Sequence, residues 1–71
     1  MRYKKERQTR ENFKLLTEKD KKYLRYVLEY SRYQSSDIGK FIIEFFTKHN
    51  LEKYYGYKLD FRRMIKEELN N

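Results

Sequence analysis

Ile38-Gly39-Lys40-Phe41-Ile42-Ile43-Glu44-Phe45-Phe46 is the stretch that decides the fold. Ile38, Phe41, Ile42, Phe45 and Phe46 recur at steps of three, four, seven and eight residues, with His49 at eleven. That spacing lines one face of an α-helix. A strand would send Phe45 and Phe46 to opposite sides and leave one of them in water. No other part of the chain is so densely apolar, so this helix, over about 37–49, is expected at the centre. Phe41, Phe45, Ile38 and Ile42 are expected to be its most buried residues. Gly39 inside it costs about 1 kcal/mol against Ala and leaves room for a close neighbour. Ile43 falls off the main face, at the core edge or at an interface.

Working backward, Ser31 to Asp37 is polar and forms the preceding turn, with Ser35, Ser36 or Asp37 as the helix cap. Before it, Tyr23, Leu24, Val27, Leu28 and Tyr30 form the apolar stripe of a helix over about 18–33. Lys21, Lys22, Arg25 and Arg32 occupy its outer side, beside a tyrosine edge made by Tyr26 and Tyr33. Thr17 followed by Asp20 reads as a capping box, so a break is expected there. Thr9 to Leu16 reads as a short extra helix. Residues 1–8 have no apolar period and read as a basic, flexible arm.

Working forward, Asn50 is a suitable helix end. Leu51 to Tyr57 reads as a loop or one helical turn, with Gly56 as a turn or capping glycine and Tyr54, Tyr55 and Tyr57 as an aromatic knob. A last helix over about 58–69 points Phe61, Met64, Ile65 and Leu69 inward. Lys58, Arg62 and Lys66 recur every four residues along its side, and Arg63 adds to them. The fold class expected is all-α: a small bundle of three helices with an N-terminal arm or short extra helix. Residues 9–71 form the single helical domain.

The chain has 71 residues, so it buries a thin core. It has no Cys, hence no disulfide or thiolate metal site to supplement that core. Homodimerisation is the remaining common supplement, and Ile43 is a candidate for it. No run approaches the roughly 18 apolar residues of a membrane span. Nor does an apolar run of secretory type follow the basic N-terminus. A soluble, cytoplasmic protein without membrane contact is expected. The lack of Ala, Pro and Trp beside abundant Lys, Tyr, Asn, Ile and Phe fits an AT-rich viral, plasmid or low-GC bacterial genome.

Catalytic chemistry finds no support. The single His49 belongs to the last turn of its helix, where partial positive charge suits the dipole. Gly39 and Gly56 are too far apart for a phosphate-cradling loop. The serines lack the context of a nucleophile. No cofactor, metal or enzymatic activity is expected.

Charge speaks to partners. The formal net charge is +7, which favours phosphate backbones or acidic protein surfaces. Residues 1–16 carry six basic and two acidic groups, whereas residues 35–50 carry two of each. The expectation is a small basic nucleic-acid-binding regulator, with DNA favoured over RNA. Its contacts are expected from Arg2, Lys4, Lys5 and Arg7 of the arm, Lys22 and Arg25, and Lys58, Arg62, Arg63 and Lys66. The helix 58–69 is the candidate for groove insertion. Ser36 to Phe41 resembles the first helix of a helix-turn-helix over half a dozen residues, but the turn glycine is missing and Ile43 to Phe46 continue the helix. The alternative is a protein-binding regulator or inhibitor whose surface is Tyr54, Tyr55, Tyr57 and Ile43.

Overall fold

The structure, a computed structural model, describes residues 2–70, with side chains from residue 6 onward. It is all-α. Four helices follow one another: α1 (Arg2–Lys14), α2 (Glu18–Tyr30), α3 (Gln34–Lys48) and α4 (Tyr55–Leu69). No helix among the described residues is long and apolar enough to cross a membrane.

Thr17 separates α1 from α2. Its Oγ1 accepts from the Asp20 N–H at 3.0 Å, and Asp20 Oδ2 accepts from the Thr17 N–H at 3.0 Å. The reciprocal box satisfies two donors that the first turn of α2 leaves open. At the other end of α3, Asn50 adopts φ 52°, the left-handed region that Asn tolerates. The Leu51 N–H reaches back to the Phe46 carbonyl at 2.8 Å and the Asn50 N–H to the Thr47 carbonyl at 3.2 Å. Together these make a Schellman ending, with Leu51 packed on the core.

Several boundaries differ from expectation. The first helix begins at Arg2 rather than Thr9, so most of the stretch read as an arm is helical in backbone. Its Lys, Arg, Glu and Gln are good helix formers even without an apolar period. The turn before α3 is shorter than expected, and α3 starts at Gln34 behind Tyr33, which makes no side-chain cap. Asp37 instead accepts a short hydrogen bond from the Ser31 hydroxyl, and Gln34 Nε2 donates to the Leu28 carbonyl at 2.8 Å. Side chains thus tie the turn down from within. Of the two forms expected around Gly56 the helical turn is the one found: Gly56 is not a capping glycine and lies in the first turn of α4.

The core comprises Leu16, Leu24, Val27, Ile38, Ile42, Phe45, Phe46, Phe61, Ile65 and Leu69. Phe46 is fully buried, while Phe41 is only half-buried. The helix packs on α2 and α4 at once; Phe46 meets the buried Phe61 ring of α4, whereas Phe41 meets the exposed Tyr23 of α2. Tyr23 and Tyr30, read as inward, are exposed, and Met64 is half-buried. α3 contributes the most buried residues of any helix, but the hub is α4. It packs against α1, α2 and α3, whereas α3 packs against α2 and α4. The Phe61 ring meets Phe13 of α1 at 6.3 Å and Phe45 and Phe46 of α3 at 5.4 and 5.3 Å.

The α3–α4 seam closes over Gly39. Arg62 Nη1 donates to the Ser35 carbonyl at 3.1 Å and to Ser35 Oγ at 3.3 Å. A Cβ on Gly39 would lie 3.0 Å from Arg62 Nη2. The space that glycine leaves is therefore filled by a guanidinium and not by a helix backbone.

Two outcomes follow for stability. Phe61→Ala lowers the unfolding free energy by about 3–5 kcal/mol, and Phe41→Ala by clearly less, since only the first opens a fully enclosed cavity. Urea denaturation followed by circular dichroism gives both values. Gly39→Ala is close to neutral in the wild-type chain, because the gain in helix propensity is offset by displacing Arg62. In an Arg62→Ala background the same change stabilises by about 1 kcal/mol. Equal effects in the two backgrounds would show that Arg62 does not hold this seam.

Candidate nucleic-acid interface

The most regular cationic feature lies on α1. Arg7, Arg10 and Lys14 are all exposed. Their spacing of three and four residues places them on one side of the helix, over about 10 Å. The opposite side carries buried Thr9 and Asn12 and half-buried Phe13, and is docked on α4. Packing therefore turns Arg7 and Lys14 outward, while Arg10, also exposed, borders the groove between α1 and α4 together with Glu6, Asp60, Glu67 and Glu68. Lys14 pairs with Glu11 at 3.4 Å, an exposed contact of little strength. Arg10 and Lys14 were missed in the sequence. Reading residues 1–8 as an arm broke the helical count, and the spacing of Arg7, Arg10 and Lys14 was the available signal. Arg2, Lys4 and Lys5 lie in the backbone of α1, and their side chains fall outside those described.

The inner side of α1 is polar for a docking face. Gln8 Nε2 donates to Asn12 Oδ1 at 2.9 Å, but the buried Asn12 Nδ2 has no partner among the described residues.

The expected row on α4 is divided. Lys58 and Arg62 are half-buried and Lys66 is exposed. All three border a groove between α3 and α4, together with Ile43, Tyr55 and Leu59. Arg63 lies elsewhere, along a wider groove between α1 and α4, among Glu6, Arg10, Asp60, Glu67 and Glu68. It does not extend the row. With three helices packed on it and Arg62 already bonded to Ser35, α4 presents no free cylinder for a nucleic-acid groove.

On α2, Lys22 and Arg25 are exposed beside Tyr23, Tyr26 and Tyr30, and Tyr33 follows in the turn. The Tyr26 and Tyr30 rings stand 5.3 Å apart. The Tyr30 hydroxyl is held above the usual tyrosine range by Glu29, whose carboxylate accepts its hydrogen bond and repels the phenolate. Tyr23 reaches Phe41 at 6.0 Å, which continues to Phe45 at 5.5 Å. This edge is thus tied to the core by a chain of ring contacts, tilted at Tyr23–Phe41 and stacked at Phe41–Phe45.

The expected knob of three tyrosines is likewise split. Tyr54 and Tyr55 are exposed, while Tyr57 packs against the core with its ring edge-on to Tyr54 at 6.0 Å. His49 is half-buried, its ring 4.4 Å from that of Phe45. No cluster of three metal-ligating residues occurs among the described residues.

The chain matches no protein-family model, and neither the curated proteins nor the solved structures searched contain a significant match to it.

Proposed function

We propose that this chain is a nucleic-acid-binding protein that holds duplex DNA by its phosphates and regulates by occupancy rather than by catalysis. The observation that carries this reading is the exposed row of Arg7, Arg10 and Lys14 on a helix whose other side is docked. A rigid line of cations suits a regularly charged backbone, because neutralising phosphates releases condensed counterions. It fixes position on the duplex without reading sequence. Lys22 and Arg25 of α2 supply a second cationic side, and the exposed tyrosines beside them offer rings to an unpaired base. The alternative, a protein partner, draws support from a different part of the surface, the groove between α3 and α4.

Fluorescence anisotropy with two labelled duplexes of unrelated sequence tests the proposal. Wild type binds both at about 50 mM salt and loses most of its affinity by about 200 mM. Arg7→Ala with Arg10→Ala weakens both complexes alike and lowers the salt slope by nearly one unit per lost contact. Circular dichroism confirms that the variant keeps its helices. Absence of wild-type binding at the lower salt, or an unchanged slope in the folded variant, overturns the proposal.

A further inference from the structure

The groove between α3 and α4 combines features that phosphate binding does not need. Its rim carries Ile43, 57% exposed, and Leu59, 43% exposed, with the exposed ring of Tyr55 beside them. Along the same groove run Lys58, Arg62 and Lys66 on one line of α4, over about 12 Å. No carboxylate lines it. None of the three cations has an ion-pair partner among the described residues. Its volume of about 380 Å³ is at the small end for a ligand pocket, and it is an open channel between two helices. We propose that this groove docks an acidic amphipathic helix of a partner protein.

Charge and apolar surface select that occupant together. A helix lying along α4 meets the cations with carboxylates spaced four residues apart, while its apolar side covers Ile43 and Leu59. Arg62 is preorganised for the contact. Ser35 already holds its Nη1, so little side-chain freedom remains to be lost on binding. A nucleic-acid backbone would pair with the cations but leave the two aliphatic side chains against water and phosphate. A second copy of this chain, paired through the same groove about a two-fold axis, would set three cations against three with no carboxylate between them.

The probe is a labelled synthetic peptide that forms an amphipathic helix, with leucines along one side and glutamates every four residues along the other. Two controls accompany it: a peptide of the same composition in scrambled order, and one with lysines in place of the glutamates. Wild type binds the first and neither control. Ile43→Ser and Lys66→Glu, both at exposed positions, each weaken binding about tenfold, a loss of about 1.4 kcal/mol. The Arg7→Ala, Arg10→Ala variant binds the peptide as wild type does. Equal binding of the scrambled peptide overturns the proposal, because charge alone then suffices. So does displacement of the peptide by duplex DNA in the α1 variant, which would assign the groove to nucleic acid. Sedimentation showing a dimer that Ile43→Ser dissociates would also overturn it, with a second copy as the occupant.

Discussion

The contact on which the rest of this structure depends is the Phe61 ring, wholly buried against Phe13, Phe45 and Phe46. Three helices converge there. For α3 and α4 it is one contact among several, since Ile38, Ile42 and Ile65 are also buried. For α1 it is the ring contact within a broad interface to α4 that also buries Thr9 and Asn12. A 13-residue helix is marginal in isolation, and this one carries few apolar groups. Its register is set by Phe13 on Phe61, with Leu16 buried just beyond its end. The outward row of Arg7, Arg10 and Lys14 thus exists as a row because an aromatic contact on the far side holds the helix in phase.

The same seam is the least well satisfied part of the core. Burying Thr9 and Asn12 between α1 and α4 replaces apolar contact by polar groups, and the unpartnered Asn12 Nδ2 costs about 1–3 kcal/mol. α1 is held instead by the breadth of its packing on α4, the most extensive between any two helices, whereas α2 has a capping box and buried Leu24 and Val27. A helix whose outer side is cationic gains stability from an anion bound to that side, so the proposed phosphate contact would add to the stability of α1.

Where the chain signals structure through local chemistry, the sequence was legible. Thr17 and Asp20 announced the start of α2, Asn50 the end of α3, and the period of Ile38 to Phe46 the central apolar helix. Errors arose where a position depends on which neighbour a helix meets. Phe41 and Phe46 both lie within the apolar arc of α3; only the placement of α2 and α4 decides that Phe46 is enclosed. Gly56 looked like a turn because glycine usually marks one, but here the turn is completed by Tyr54, whose carbonyl accepts from the Tyr57 N–H at 3.0 Å. The candidate site was less legible than the fold. Lys58, Arg62, Arg63 and Lys66 looked like one patch because spacing along a helix does not reveal which side another helix covers. Arg10 and Lys14 were overlooked for the opposite reason, since without an apolar stripe nothing marked α1 as a helix before Thr9.

Both candidate surfaces trace back to the helical phase of α4. Phe61 points into the core and receives α1. One residue further, Arg62 turns toward α3 and closes over Gly39. The next, Arg63, faces the side where Asp60 and Glu67 also project. Successive residues separated by about 100° thus divide a string of cations into one that binds within the protein, one among acids, and Lys58 and Lys66 without a carboxylate. The separation has an electrostatic consequence. The α3–α4 groove and the channel between α1 and α4 are separate, and the acidic groups of Glu6, Asp60, Glu67 and Glu68 line only the latter, beside Arg10 and Arg63. At physiological ionic strength charges further apart than about 8 Å are largely screened from each other. The two proposed surfaces then draw on separate cations, Arg7, Arg10 and Lys14 for the one and Lys58, Arg62 and Lys66 for the other, so the two proposals do not compete for charge.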